Sequence, residues 1–144
     1  MQAVIAKLLS DDDYVDQFLD ESRMLLKASL AIVTSTLETM TIPFVTPEAG
    51  IFVYCDFSSL LPEQTFEGED TFSNLMYKYA KILMTPGHCQ RESKPGYFRI
   101  CYASVTPEVL TVGMKRLETL VQLLKEHGWE NIRSNVDEDT VLKC

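Results

Sequence analysis

One arginine in this sequence lies inside an apolar run. Arg99 is flanked by Phe98 and Ile100 in a segment of aromatic and β-branched residues. A buried arginine must be paired, and its planar guanidinium group suits bidentate binding of a carboxylate. The residues alone leave three interpretations open: a ligand carboxylate, an internal ion pair with Asp or Glu, or an arginine on the open face of a sheet.

Two Pro-Gly turns enclose the loop that precedes Arg99. Pro86-Gly87 and Pro95-Gly96 stand on either side of residues 88–94. This loop contains His88, Gln90, Arg91 and Lys94. Such a loop either borders a ligand pocket or is a solvated connection. Gly50 stands at the start of an earlier strand, where it either admits a ligand close to the backbone or serves a turn.

Other chemistry has little support in the sequence. His88-Cys89 beside Cys101 falls short of a metal site in ligand number and spacing, so no metal is predicted. The sequence has no P-loop, HExxH, GxGxxG or nucleophile-elbow motif. His127 ends a helical pattern, where a cation favours the helix dipole. We therefore predict no catalytic residue in this chain.

Hydrophobic periodicity predicts the elements that position these residues. Helical spacing is predicted over 1–9, from a Ser10 cap to Met40, over 71–84, and from a Thr106 cap to Gly128. Extended segments are predicted at 42–45, 50–57 and 97–103, with a polar loop at 58–70 that begins with a helical turn. This order predicts an α+β fold: a small, mostly antiparallel sheet with helices packed on it.

Composition narrows the class of protein. The 144 residues suffice for one domain, with 46% hydrophobic and 24% charged residues. The net charge of −8 argues against nucleic acid and anionic membranes as partners. No apolar run of about 18 residues occurs. The four cysteines are scattered, which indicates free thiols in a reducing compartment and predicts a cytoplasmic location.

Three ordered motifs resemble a known family. They are Ala49–Phe57, Thr85-Pro86-Gly87 and Pro95–Ala103, preceded by Leu8-Leu9-Ser10-Asp11. Together they resemble the C-terminal small domain of class I/II (fold type I) pyridoxal-phosphate-dependent aminotransferases, most closely the 1-aminocyclopropane-1-carboxylate synthase-like branch. The resemblance implies a small domain over residues 1–128, followed by a C-terminal tail over 129–144.

The resemblance also implies roles for particular residues. Arg99 matches the arginine that binds the α-carboxylate of an amino-acid substrate, and Gly50 matches a glycine near that substrate. The family's cofactor is pyridoxal phosphate, and its Schiff-base lysine belongs to a large domain upstream. Lys7 has no matching motif around it. The implied partners are therefore an amino acid, the large domain and, for the full-length enzyme, a second copy in a homodimer.

Two functions follow from these observations. The first is the C-terminal portion of a transaminase, 1-aminocyclopropane-1-carboxylate synthase or carbon–sulfur lyase, inactive alone because the lysine is absent. The second is a stand-alone, non-catalytic module that binds a ligand or a protein. Residues 88–94 depart from the synthase pattern, so the resemblance does not specify the substrate side chain.

Overall fold

Helices and a small antiparallel sheet share one hydrophobic core. The computed structural model describes residues 2–135. The helices are α1 (Gln2–Leu9), α2 (Asp12–Thr39), α3 (Phe66–Leu75) and α4 (Pro107–Asn135). The strands are β1 (Phe44–Val45), β2 (Phe52–Asp56), β3 (Thr85–Pro86) and β4 (Tyr97–Cys101). This arrangement confirms the predicted α+β class.

The sheet has one covered face and one open face. Its strand order is β1-β2-β4-β3, and every neighbouring pair is antiparallel. Side chains alternate between the two faces of a strand, so the covered face carries Val53, Cys55, Phe98 and Ile100, all buried. We call the opposite side the open face; its partly exposed side chains are Phe52, Tyr54, Asp56, Tyr97, Arg99 and Cys101.

Aromatic rings and two long helices fill the core behind the covered face. The rings of Phe57, Phe72 and Phe98 have centroids 5.5–5.8 Å apart and meet in tilted or edge-on orientations. Such contacts add to the stabilisation that burial provides. The helices α2 and α4 contribute buried aliphatic side chains to the same cluster, among them Val33, Leu37, Leu117, Leu120 and Val121.

The start of α2 differs by one residue from the predicted cap. The side chain of Asp11, rather than that of Ser10, accepts a hydrogen bond from the Tyr14 amide at 3.1 Å. The Ser10 hydroxyl instead donates to the Lys7 carbonyl at 3.0 Å, because Ser10 closes the preceding helix. Serine and aspartate both cap helices well, so the turn between α1 and α2 decides which of the two residues caps α2.

Helix α3 begins earlier than the sequence indicates. A polar loop was predicted through Asp70, and this is wrong from Phe66 onward. The Thr65 hydroxyl oxygen caps the helix by accepting from the Gly68 amide at 3.0 Å. The helix also ends before the predicted Met84, in a π-turn (Met76–Ala80) and the left-handed residue Lys81. The polar residues of α3 are typical of a solvated loop, although one of them, Glu69, is fully buried.

The C-terminal helix α4 bends at Gly128, which has a φ of 68°. The sequence predicts the end of the helix at this residue. The segment beyond the bend is helical to Asn135 and packs on the core. Trp129 Nε1 donates to the Leu60 carbonyl at 2.9 Å, and Ile132 is fully buried. The rest of the predicted tail, residues 136–144, lies outside the described residues. Within residues 2–135 no helix has the length and apolar character needed to span a bilayer.

Candidate functional site

Arg99 occupies the middle of the open face. Its strand β4 is paired on both sides, with Tyr54 opposite Arg99 in β2 and Thr85 opposite it in β3. The guanidinium carbon of Arg99 lies 4.2 Å from the centroid of the Phe52 ring. This cation–π contact fixes the plane of the guanidinium group without consuming its hydrogen-bond donors.

Within residues 2–135 the donors of Arg99 have no carboxylate partner. Among the described residues no Asp or Glu forms an ion pair with Arg99, and its Nε is buried without a hydrogen-bond partner. A buried donor without a partner costs about 1–3 kcal/mol. The internal ion pair considered for Arg99 is therefore not seen among these residues, whereas the open-face placement is. The geometry suits an anion that approaches from outside.

Two tyrosines lie beside acidic side chains at the open face. The rings of Tyr54 and Tyr97 stack at 5.5 Å. The Tyr54 hydroxyl donates to Glu92 Oε2 at 2.9 Å, and Asp56 lies opposite Tyr97 in the pairing of β2 with β4. The sequence argument missed these four residues. Strand period two was the available signal, because it places alternate residues of β2 and β4 on the face of Arg99.

These contacts shift the pKa values of Tyr54, Glu92 and Tyr97. Burial, followed by the hydrogen bond to Glu92, raises the pKa of Tyr54 well above its usual value. The hydrogen bond from Tyr54 in turn lowers the pKa of Glu92. The charge of Asp56 raises the pKa of Tyr97. At neutral pH both phenols therefore remain hydrogen-bond donors, and Glu92 remains an anion engaged with Tyr54.

Gly50 lies just before β2, at a turn. Its φ of 92° favours glycine, whereas a Cβ at this position would meet no atom within 4 Å. The Gly50 carbonyl accepts a hydrogen bond from the Tyr102 hydroxyl at 2.6 Å. The backbone conformation therefore explains the glycine, and the open space beside it leaves room for a ligand.

A buried carboxylate organises the loop before β4. Glu69 in α3 is fully buried, and its Oε2 accepts from the Gly96 amide at 2.6 Å. Its Oε1 accepts from the His88 amide at 3.2 Å and lies 2.7 Å from His88 Nδ1. One side chain thus ties both Pro-Gly turns to α3. Glu69 falls in the polar loop predicted at 58–70, and its polar composition does not indicate this role.

Two described lysines have contacts away from the open face. Lys125 Nζ donates to the Met40 carbonyl at 2.7 Å, and Lys78 lies over the Tyr79 ring. Lys7 belongs to α1, which packs against α2. Among residues 2–135 no three His, Cys, Asp or Glu side chains group as metal ligands. The arrangement around Arg99 therefore suits a carboxylate ligand.

Comparison with known proteins gives a consistent set of relatives. The family described as Aminotransferase class I and II matches residues 1–117. The chain is 32% identical over 128 residues to 1-aminocyclopropane-1-carboxylate synthase 6 of Arabidopsis thaliana, covering 87% of the chain and 25% of that enzyme. It thus spans about a quarter of the length of the curated relatives it matches.

Solved structures share the fold. The aromatic aminotransferase of Pyrococcus horikoshii superimposes with a TM-score of 0.69 at 27% identity, over 84% of this chain and 30% of that one. Cystalysin of Treponema denticola, a structure that contains pyridoxal 5′-phosphate, gives a TM-score of 0.66 at 19% identity, over 78% of this chain and 27% of that one. The second similarity concerns the fold alone.

Proposed function

The chain belongs to the class I and II aminotransferase family, and on that premise we propose that it is the C-terminal small domain of a pyridoxal-phosphate enzyme. In this proposal residues 1–128 form the domain and residues 129–144 are appended to it. The match over residues 1–117 and the resemblance to 1-aminocyclopropane-1-carboxylate synthases support the assignment. We propose that the whole enzyme catalyses one of three reactions: transamination, 1-aminocyclopropane-1-carboxylate synthesis or carbon–sulfur lysis.

The single observation that carries the proposed role is that Arg99 has no carboxylate partner among residues 2–135, where its buried Nε also has no hydrogen-bond partner. A free, planar donor set on the open face can bind the α-carboxylate of an amino acid through two parallel hydrogen bonds. Phe52 holds the plane of that group, so the bound carboxylate has a fixed orientation. Gly50, beside open space at the edge of β2, is the second residue that we propose to lie near the substrate.

Pyridoxal phosphate supplies an electron sink for the bond broken at the α-carbon of the substrate. We propose that the lysine and phosphate-binding groups that hold it lie outside this chain. The contacts of Lys125 and Lys78, away from the open face, support that placement. What this chain contributes is the orientation of the carboxylate, which sets the angle of the reacting bond.

An apolar surface supports a missing partner domain. Among residues 4–28, in helix α1 and the first half of α2, none is buried, although many of them carry large apolar side chains. Those exposed are Val4, Ile5, Leu8, Leu9, Tyr14, Phe18, Leu19, Met24 and Leu25. Exposed apolar side chains in this number favour an interaction site. The large domain of the same enzyme fits it, since relatives are about four times longer.

The remaining parts of the proposal concern the assembly and its location. We propose that the full-length enzyme is a homodimer, as family members are, and that it is cytoplasmic, since the free thiols of Cys55, Cys89 and Cys101 suit a reducing compartment. The alternative is a non-catalytic module that binds a ligand or a protein. Reading the coding sequence upstream separates the two: an in-frame large domain supports the enzyme, and a stop codon there contradicts it.

Replacement of Arg99 tests the substrate role. In the full-length enzyme, Arg99→Ala should raise the KM for the amino-acid substrate on the order of 30-fold to several thousandfold, because losing one partner of a desolvated charge pair costs about 2–5 kcal/mol. Arg99→Lys should recover only part of this, since an ammonium group cannot bind both carboxylate oxygens in parallel. Steady-state kinetics with both variants provides the measurement.

A matched control is Arg23→Ala, which removes an exposed arginine paired with Asp20 on α2. Its KM should equal that of the wild type. An Arg99→Ala enzyme with unchanged KM and kcat would contradict the proposed role of the open face.

A further inference from the structure

A cysteine, a histidine and a carboxylate are aligned on the loop before β4, outside the open face. Cys89 Sγ lies 3.4 Å from His88 Nε2. On the other side of the imidazole ring, His88 Nδ1 lies 2.7 Å from Glu69 Oε1. This is the order nucleophile, base and orienting acid, with each neighbouring pair in contact.

Glu69 fixes the direction of the imidazole. It is fully buried and also accepts the Gly96 and His88 amides, so its position cannot adapt to the ring. A carboxylate can only accept, which places the proton on His88 Nδ1. Nε2 is therefore left with a lone pair directed toward the Cys89 thiol. The edge-on ring of Phe66, with its centroid 6.1 Å from that of His88, supports the same orientation.

The thiol itself is accessible. Cys89 is free and exposed, in the short helical turn Gly87–Gln90 that follows β3. A reactant of a few atoms can therefore reach the sulfur without a binding cavity. One further charge lies near the base: Asp70 Oδ1 is 3.8 Å from His88 Nε2 and is exposed. It can stabilise a protonated imidazole during the reaction without blocking the sulfur.

We propose that Cys89 is a nucleophilic modification site that hydrogen peroxide oxidises to the sulfenic acid, with His88 as the base. The sulfur attacks one peroxide oxygen, so an S–O bond forms and the O–O bond breaks. The thiol proton passes to His88 Nε2 and then to the departing hydroxide, which leaves as water. The sulfur loses two electrons and the peroxide gains them.

The other described cysteines lack this arrangement and serve as internal references. Cys55 is buried and its Sγ donates to the Phe98 carbonyl at 3.2 Å; burial raises the pKa of its thiol. Cys101 is half-buried in β4, opposite Phe52, at the open face. Reactive thiols need both access and activation. Of the three, only Cys89 combines them.

The test follows oxidation of the folded 144-residue chain by hydrogen peroxide at pH 7, with sulfenic acid trapped by dimedone and located by peptide mass spectrometry. Cys89 should be labelled at least about tenfold faster than Cys101, given the usual size of general-base effects. His88→Asn should slow Cys89 by about tenfold or more and leave Cys101 unchanged. Asp70→Asn keeps the base and removes only an exposed charge 3.8 Å from it, so it should slow Cys89 by less than His88→Asn does.

The internal reference separates activation from loss of structure. If His88→Asn loosened the structure, the rate at Cys101 would change as well; with Cys101 unchanged, a slower Cys89 reports the loss of the base. Equal labelling of the two cysteines in the wild type would overturn the proposal. So would a well-folded His88→Asn chain in which Cys89 reacts at the wild-type rate.

Discussion

Glu69 offers the sharpest test of how this fold is held together. The change is Glu69→Gln, which keeps the size and shape of the side chain and removes its charge. In the native chain one carboxylate serves three donors: the Gly96 amide, the His88 amide and His88 Nδ1. A glutamine can offer one accepting oxygen and must direct its NH₂ group at the remaining donor.

The loss can be estimated from these contacts. If the amide oxygen takes the place of Oε1, the NH₂ group faces the Gly96 amide, which is buried and has no other acceptor in this position. An unsatisfied buried donor costs about 1–3 kcal/mol, and the remaining bonds lose the strengthening that a charged acceptor gives. We expect a total of about 2–4 kcal/mol, or a Tm lower by about 5–15 °C for a chain of this size.

Urea unfolding followed by circular dichroism gives the free energy of unfolding directly. The control is Glu67→Gln, an exposed glutamate in the same first turn of α3, which should cost about 0.5 kcal/mol or less. A Glu69→Gln chain within 1 kcal/mol of the wild type would refute the reasoning. It would mean that the two Pro-Gly turns are fixed by their own backbones and not by α3.

Two further perturbations test the turn and the open face. Gly96→Ala should lower the free energy of unfolding by about 2–4 kcal/mol, because Gly96 has a φ of 99° and a Cβ there would overlap the backbone of Ser58. The control Gly113→Ala, in a helix with free space around the new Cβ, should raise the free energy of unfolding by about 0.5–1 kcal/mol. Thermal unfolding measures both. Tyr54→Phe should cost about 1 kcal/mol at pH 7 by losing the bond to Glu92. Because the pKa of Tyr54 is raised in the fold, this contribution is complete below the unfolded value of about 10 and declines above it, so the two chains should converge in urea unfolding at pH 11.

The sequence predicted the elements whose patterns repeat and missed those set by single contacts. Apolar spacing located α2 and α4, and β-branched and aromatic runs located β2 and β4. The two-residue strand β3 was read only as a break, since Thr85-Pro86 gains its strand character from pairing with β4. Helix α3 was shortened because Glu69 looks like a solvated charge until its three partners are known.

The sequence predicted Arg99 and Gly50 as candidate site residues, and it did not predict the side chains around Arg99. Arg99 attracted attention because a cation in an apolar strand needs a partner. The side chains beside it depend on register: the pairing of Tyr54 with Arg99, rather than with a neighbour, decides which groups share the open face. A slip of one residue would have moved all of them to the core, and composition contains no information about that choice.

Register also explains why Arg99 keeps its donors free in an acidic chain. With a net charge of −8, the chain holds many carboxylates that could neutralise a lone guanidinium group. At the open face Glu92 accepts from the Tyr54 hydroxyl, and Asp56 accepts from the Ser58 amide. A carboxylate that already accepts a hydrogen bond gains less by turning to the arginine, and the guanidinium group of Arg99 lies over the Phe52 ring. The acids at the open face are therefore already engaged in hydrogen bonds, and the charge of Arg99 is available to an anion that enters from outside.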